Sequence, residues 1–167
     1  MVVVLMGVAG SGKTTIGTRL AAELGWPFAD GDDYHPAANV EKMRNGIALT
    51  DEDRAPWLAT LRGLITNWIS QGMNAILACS ALRQAYRDEL RVSSQVQFVF
   101  LHASRHVLQE RLHARAGHYM KENMLNSQLA TLEVPHDALA VDVSGSLDES
   151  VRELRAQLNL TPFSPAR

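Results

Sequence analysis

The residues with the clearest chemical potential lie near the start of the sequence, where glycines and small residues precede a lysine and a threonine. The segment Gly7-Val8-Ala9-Gly10-Ser11-Gly12-Lys13-Thr14 matches the pattern G-x-x-x-x-G-K-[ST] in full. In this pattern the backbone N–H groups surround nucleotide phosphates, the lysine reaches the β- and γ-phosphates, and the hydroxyl ligates Mg²⁺. Thr15 is a weaker candidate contact. The segment therefore predicts a loop that binds ATP or a related nucleotide.

The residues on either side of this loop support the same interpretation. Residues 2–5 form an apolar, β-branched run that is typical of a buried parallel strand, and a helix is predicted over residues 13–24. The alternative is a glycine-rich turn that merely closes a strand–helix unit, but the full pattern in this context favours phosphate binding. GTPases, motor ATPases and metabolite kinases share the loop, so other residues must indicate the reaction.

A second group of candidate residues is acidic and follows a strand predicted over residues 27–30. Phosphoryl transfer to an alcohol requires a metal ion and a group that positions the hydroxyl. Because Asp30 and Asp32 are two residues apart, they would project in the same direction from an extended backbone. We assign Asp32 to the acceptor hydroxyl and Asp30 to the magnesium ion, directly or through water. Asp33 fits a helix cap equally well.

The apolar patterns along the rest of the chain alternate between strands and helices. Thr50 and Asp53 resemble a capping box at the start of a long helix over residues 51–71. Such alternation predicts an α/β fold with three layers, α/β/α, around a five-stranded parallel sheet, and ligands in such sheets bind beyond the carboxyl ends of the strands. The helical periodicity of apolar residues is absent over residues 116–123, where we expect an irregular stretch. The other predicted strands lie at residues 75–78, 96–101 and 139–143. The other predicted helices lie at residues 83–90, after Ser104 and from Leu147.

Length and composition limit the classes of partner. The 167 residues predict one domain over residues 1–160 and a loose tail at 161–167. A net charge of -2 provides no basic surplus for nucleic acid, and no apolar run is long enough for a membrane span. The one cysteine, Cys79, cannot form an internal disulfide, which favours a reducing compartment and a cytoplasmic location.

Several longer segments resemble the bacterial gluconokinase family. The most diagnostic is GDDYHPAANVEKMRNGIALTDEDRAPWL at residues 31–58, followed by CSALRQAYRDELR at 79–91, RAGHYM at 115–120 and LNSQLATLEVP at 125–135. The resemblance implies a P-loop kinase with a shikimate-kinase-like fold that uses ATP and Mg²⁺. It further implies transfer of the γ-phosphate to the 6-hydroxyl of D-gluconate, giving 6-phospho-D-gluconate and ADP, by a homodimer.

Gluconate carries one carboxylate and five hydroxyls, so its site requires a cation and several neutral partners. Arg44 and Arg83 are the candidates for the carboxylate, and His35 lies nearby in sequence. Arg83 follows the third strand and should project over the sheet edge that carries the phosphate loop. His118 and Gln128 are assigned to the sugar acid by resemblance alone.

Two arginines complete the candidate catalytic set with Lys13 and Asp32. Arg111 and Arg115 are four residues apart, hence on one helix face, and they lead into a predicted lid over residues 114–124. In the resembling fold such arginines close over the ATP phosphates and stabilise charge in the transferring group. In the alternative interpretation, Arg111 and Arg115 lie on a solvent-exposed face of the helix, with Glu110 as an ion-pair partner.

Two other functions remain open from the sequence. One is a different small-metabolite kinase of this fold, such as a shikimate kinase, although the segment at residues 31–58 fits gluconokinases better. The other is a nucleotide-switched regulatory protein, but the sequence contains no guanine-reading N-K-x-D motif and no separate effector domain.

Overall fold

The structure is a computed structural model that describes residues 1–114 and 118–163, without the side chains of residues 118–122. Strands and helices alternate along the chain, as predicted. The elements are β1 (Val2–Met6), α1 (Lys13–Leu24), β2 (Phe28–Asp30), a 3₁₀ helix (Gly31–Tyr34), α2 (Ala37–Arg44), α3 (Asp51–Ser70), β3 (Ala75–Ala78), α4 (Gln84–Leu90), β4 (Val96–His102), α5 (Arg105–His113), α6 (His118–Thr131), β5 (Leu139–Asp142) and α7 (Leu147–Gln157).

The five strands form one parallel sheet in the order β2-β3-β1-β4-β5. Strand β1 lies at the centre, where Val4 pairs with Leu77 of β3 on one side and with Phe98 of β4 on the other. All five residues of β1 are fully buried, because helices cover both faces of the sheet. The prediction of an α/β fold with a five-stranded parallel sheet is confirmed.

The alternation of side chains along β1 separates the core into two halves. Val2, Val4 and Met6 pack with α3 and α4, while Val3 and Leu5 pack with α1 and α7. This is the predicted arrangement of three layers. A third, smaller cluster lies between the phosphate loop, α5 and α6, and its buried members are Val8, Leu82, Leu108, Leu112 and Leu125.

Among the described residues, side-chain caps define the beginnings of three α-helices. The predicted capping box at α3 is present, since the Thr50 hydroxyl accepts from the Asp53 N–H and the Asp53 carboxylate accepts from the Thr50 N–H. Ser104 caps α5 as predicted. A second capping box, formed by Ser146 and Glu149 at α7, was not predicted.

Two helices differ from the sequence prediction. The prediction of an irregular stretch over residues 116–123 was wrong from residue 118 onward, because α6 begins at His118. Helix α2 was not predicted. Both helices lack a regular apolar stripe: Asn39 is the buried residue of α2, and Leu125 is the α6 residue of the buried core. Periodicity therefore gave no signal for either helix.

The last described residues contact α1 and the glycine that follows it. The Phe163 N–H donates to the Glu23 carbonyl, and the Phe163 ring lies against Gly25. Leu160 packs beside the core half formed with α1 and α7. The described part of the predicted tail is thus held by backbone and apolar contacts.

The topology places the phosphate loop, the acidic turn after β2 and the segment after β3 at the carboxyl ends of neighbouring strands. This is the edge at which open parallel sheets bind ligands. Within the described ranges, no helix has the length and apolar character needed to cross a membrane.

Candidate functional site

The loop between β1 and α1 has the backbone conformation that a phosphate cradle requires. Gly7 has φ of +144°, and a Cβ at this position would lie 2.5 Å from the Leu101 carbonyl oxygen. Gly12, which precedes the first residue of α1, has φ of +86°. Only glycine adopts these conformations without strain, so the loop can turn its N–H groups inward at the positive end of the α1 dipole.

Lys13 lies over this loop. Its Nζ donates to the carbonyls of Gly7 and Val8 at 3.0 and 3.1 Å. The ammonium group is therefore fixed beside the first turn of the loop, at the position from which it can reach the terminal phosphates.

The two metal candidates contact each other. The Thr14 hydroxyl donates to Asp30 Oδ2 at 2.6 Å, and Asp30 Oδ1 accepts from the Asp32 N–H at 3.1 Å. A hydroxyl and a carboxylate are hard oxygen donors, which suit Mg²⁺. No cluster of three or more His, Cys, Asp or Glu side chains suitable for a metal occurs among the described residues. Mg²⁺ in kinase sites commonly takes only one or two protein oxygens and completes its shell with phosphate and water.

The backbone between Asp30 and Asp32 is not extended as the sequence argument assumed. The chain turns into a 3₁₀ helix at Gly31, so that premise was wrong. Gly31 is enclosed, since a Cβ there would lie 2.8 Å from the Ala78 carbonyl, and its own carbonyl accepts from Trp57 Nε1 at 2.7 Å. The turn lets Asp30 cap the 3₁₀ helix through the Asp32 N–H, while the Asp32 carboxylate interacts electrostatically with Lys13.

Asp32 has the electrostatic environment of a base. Desolvation by the surrounding protein raises the pKa of its carboxyl group, the charge of Asp30 raises it further, and Lys13 and His35 oppose the shift. The side chain is nevertheless accessible at the surface of the site. Among the described residues, no side chain hydrogen-bonds to this carboxylate.

A pocket of about 330 Å³ lies on the other side of the loop. Arg111 borders it, and its guanidinium donates to the carbonyls of Val143 and Gly145 in the segment after β5. Glu110 lies 3.3 Å from His106, and Arg115, the second arginine of the predicted helix face, lies outside the described residues. The lining residues are Gly10, Gly12, Thr15, Ile16, Arg111, Ala114, Val143, Leu147 and Ser150.

The acceptor side of the site is the region around His35 and the beginning of α3, where we expect the molecule that accepts the phosphate. There His35 stacks on Trp57 with ring centroids 4.4 Å apart and an interplanar angle of 11°. Desolvation lowers the pKa of His35, Asp32 raises it, and Arg54 lowers it. His35 therefore interacts electrostatically with both Asp32 and Arg54. The structure therefore joins the acidic turn to the beginning of α3 through one aromatic pair.

Arg83 belongs to the same side of the site. Its guanidinium bonds to Asp51 Oδ2 at 2.8 Å, and Asp51 Oδ1 accepts from the Tyr86 hydroxyl at 2.5 Å. Arg54 and Arg83 lie 5.8 and 5.9 Å from the Tyr86 ring centroid. Arg54 also lies 3.9 Å from Asp51. Two arginines are thus held around one tyrosine.

The remaining candidates are dispersed. Arg44 is exposed at the end of α2. Gln128 contacts the phosphate loop, because its Oε1 accepts from the Ala9 N–H at 2.6 Å. Arg115 and the His118 side chain lie outside the described residues, as does part of the predicted lid.

Sequence reasoning did not select Tyr86 or Arg87. Arg87 is 1% exposed and donates to the carbonyls of Ala81 and Leu82 at 3.0 and 3.1 Å. Ala81 has φ of +42°, a left-handed conformation that is rare outside glycine. The sequence feature that could have identified both residues is their position in the segment at residues 79–91, which resembles the gluconokinase family.

Comparison with known proteins gives consistent results. The AAA_33 family, described as an AAA domain, matches residues 2–135. A gluconokinase of Gluconobacter oxydans is 47% identical, with 92% of this chain and 91% of the relative covered. A gluconokinase structure from Sinorhizobium meliloti is 46% identical with a TM-score of 0.84, covering 94% of this chain and 90% of the other. Shikimate kinase from Aquifex aeolicus, at 19% identity and a TM-score of 0.61 with 95% and 96% covered, shares the fold.

Proposed function

The chain belongs to the gluconokinase family, and from this premise we propose that it transfers the γ-phosphate of ATP to the 6-hydroxyl of D-gluconate. The products are 6-phospho-D-gluconate and ADP. The observation that carries the proposal is the carboxylate of Asp32, which is exposed in the turn after β2 and interacts electrostatically with Lys13 of the phosphate loop. The transfer is direct and in line, with no phosphoenzyme.

The nucleotide spans the loop and the adjoining pocket. Loop N–H groups and Lys13 bind the phosphates, while the nucleoside occupies the 330 Å³ pocket beside the carbonyls after β5. Arg111 is positioned by two of those carbonyls at the border of this pocket. We assign Arg111 and Arg115 to charge stabilisation in the transferring group.

Thr14 and Asp30 are the residues that would hold Mg²⁺. Their 2.6 Å contact brings a hydroxyl and a carboxylate together beside the phosphate loop. The metal supplies charge neutralisation on the phosphate oxygens when it is bound. Asp30 also accepts a hydrogen bond from the Asp32 N–H, which fixes the turn. This bond ties the position of the candidate metal ligand, Asp30, to that of the candidate base, Asp32.

The sugar acid lies on the opposite side of Asp32. Asp32 orients the 6-hydroxyl and accepts its proton as the oxygen attacks phosphorus. The carboxylate end binds toward Arg83, whose guanidinium is held by Asp51, while His35 provides a ring nitrogen for a hydroxyl between the two ends. Arg44, which is exposed at the end of α2, is a further candidate for the carboxylate, and His118 and Gln128 are candidate contacts from the family resemblance.

We also assign the enzyme to the cytoplasm as a homodimer. Cys79, the one cysteine of the sequence, is free and buried, which is compatible with a reducing compartment. The dimer is an implication of the family resemblance, and light scattering coupled to size-exclusion chromatography measures it directly.

A coupled assay of ADP release tests the acceptor. Gluconate, shikimate, glycerate and nucleoside monophosphates are compared at equal concentration, with the rate in the absence of acceptor subtracted. We expect turnover with gluconate and formation of a product phosphorylated at the 6-position by ³¹P NMR. A gluconate rate no higher than the ATPase background would reject the proposed function.

A further inference from the structure

The peptide group between Val8 and Ala9, in the phosphate loop, is hydrogen-bonded at both of its polar ends. Its carbonyl oxygen accepts from Lys13 Nζ at 3.1 Å, and its N–H donates to the side-chain Oε1 of Gln128 at 2.6 Å. The peptide bond is trans, so the carbonyl and the N–H point in opposite directions. Lys13 and Gln128 therefore lie on opposite sides of one planar group.

The planar peptide group links the two side chains mechanically. Because the group rotates as a unit, a bond that fixes the N–H also fixes the direction of the carbonyl. The Val8 carbonyl accepts in addition from the Ser11 N–H at 3.3 Å, within the turn of the loop. The contact with Gln128 is the shortest of the three bonds that orient this group.

Packing and a backbone bond hold α6 in position to make this contact. Leu125 is fully buried in the cluster that contains Val8 of the loop. Just beyond the helix, the Glu133 N–H donates to the Leu82 carbonyl at 2.9 Å. Gln128 thus projects from a helix that is fixed on both the loop and the segment after β3.

We propose that Gln128 is a positioning residue for Lys13, because its bond to the Ala9 N–H keeps the Val8 carbonyl directed at the Lys13 ammonium. The proposal rests on the nucleotide site of the proposed function and replaces the sugar-acid contact expected from resemblance. Lys13 is the side chain that reaches the β- and γ-phosphates, so holding it in place reduces the ordering that nucleotide binding must supply. Gln128 thereby couples α6 to nucleotide affinity from the far side of the loop.

Gln128→Met tests this role with little change in side-chain length. A thioether is only a weak acceptor, so the Ala9 N–H loses its partner. The dissociation constants of a non-hydrolysable ATP analogue and of ADP should both rise about three- to tenfold in calorimetric titrations with Mg²⁺. The KM for gluconate should stay unchanged. Gln157→Met, at the exposed end of α7, is the matched control and should leave every one of these constants unchanged.

A double-mutant cycle shows whether Gln128 acts through Lys13. Lys13→Ala should weaken ADP binding by itself, and the addition of Gln128→Met should then produce no further loss. Losses that add in full would overturn the proposal.

Hydrogen exchange of the Ala9 amide, followed by NMR without nucleotide, checks the contact itself. The exchange rate should rise at least tenfold in Gln128→Met and stay unchanged in Gln157→Met. An unaltered rate in Gln128→Met would overturn the proposal. Gln128→Ala removes the same acceptor and provides the measurements if Gln128→Met does not fold.

The remaining outcomes separate this inference from the proposed function. A higher KM for gluconate with unchanged nucleotide constants would return Gln128 to the sugar-acid site and overturn the proposal. A lower melting temperature with unchanged nucleotide constants would show a purely structural role and overturn it as well. The titrations contain no gluconate: if the unsubstituted protein bound neither nucleotide, the proposed function would be rejected together with this inference. If it bound both without responding to either substitution of Gln128, only the role of Gln128 would be rejected.

Discussion

Asp32→Asn separates the chemical step from nucleotide binding. The asparagine has nearly the same shape but cannot accept a proton from the 6-hydroxyl. Positioned general bases contribute about 10²- to 10⁴-fold to rate, so kcat should fall by that factor, equivalent to about 2.7 to 5.4 kcal/mol in the barrier. The affinity for ATP should not decrease, because the loop and Lys13 are unchanged and a negative charge beside Lys13 is removed.

Stability provides an independent readout of the same substitution. Desolvation and Asp30 raise the pKa of Asp32 above the ordinary value of 3.8, so the folded state binds this proton more tightly than the unfolded state does. The stabilisation from the protonated carboxyl is present at low pH and is lost as pH rises through the folded-state pKa. Ionised Asp32 is therefore unfavourable near neutral pH, and Asp32→Asn should raise the melting temperature there while it abolishes transfer.

Asp33→Asn is the matched control, since it removes a carboxylate at the next position. Asp33 contributes to the raised pKa of Asp32, so its removal should retain most of the turnover and move the acidic limb of kcat/KM to lower pH. Stopped-flow or coupled assays over a pH series measure both quantities. Turnover of Asp32→Asn within threefold of the parent rate would refute the reasoning, as would an equal loss in Asp33→Asn.

Three further substitutions or treatments test other parts of the structure. Arg83→Ala removes the guanidinium held by Asp51 and should raise the KM for gluconate about tenfold or more, with the KM for ATP unchanged in steady-state assays. Arg87→Met leaves the carbonyls of Ala81 and its neighbour unpaired and should reduce the free energy of unfolding in urea by about 1–3 kcal/mol. Burial raises the pKa of the Cys79 thiol to about 12, so a thiol reagent should react with the unfolded protein and not with the native one.

The strands and the principal helices were predictable because their sequence signals are local. Ala75–Ala78 is a short apolar run, and its predicted bounds agree with β3. The helix predicted over residues 13–24 has the same bounds as α1, since a glycine loop precedes it and Gly25 follows in a left-handed conformation. Buried runs with clear breakers require no knowledge of their tertiary neighbours.

Helix α2 could not be predicted in this way, because distant residues stabilise it. The Asn39 amide donates to the Asp53 carbonyl at 2.7 Å, and Lys42 bonds to the Asp53 carboxylate at 2.7 Å. Asp53 also completes the capping box of α3. The beginning of α3 thus supplies the partners of α2, and such long-range contacts leave no periodic pattern in the sequence of α2 itself.

The acidic turn shows a different reason for the failure of a local argument. An extended backbone would have aligned Asp30 and Asp32, and the structure instead separates them by the turn at Gly31. The separation gives them different environments: Asp30 bonds to Thr14, while Asp32 is desolvated beside Lys13. Two carboxylates with distinct partners suit a metal residue and a base, and the charge of Asp30 still raises the pKa of Asp32. The assignment of roles consequently stays a prediction, with a different geometric reason.

Trp57 links this turn to the core. Trp57 recurs with Leu61 and Leu64 at helical spacing, which is typical of a packing residue, and it is 2% exposed within the core half formed with α3 and α4. The same indole donates to the Gly31 carbonyl and stacks on His35. Trp57, a core residue, therefore determines the position of the acceptor side. Its sequence pattern is the same as that of a residue with a packing role alone. A displacement of α3 would move the turn, His35 and the carboxylate of Asp32 together, so the geometry of the reacting groups depends on how well this helix packs against the sheet.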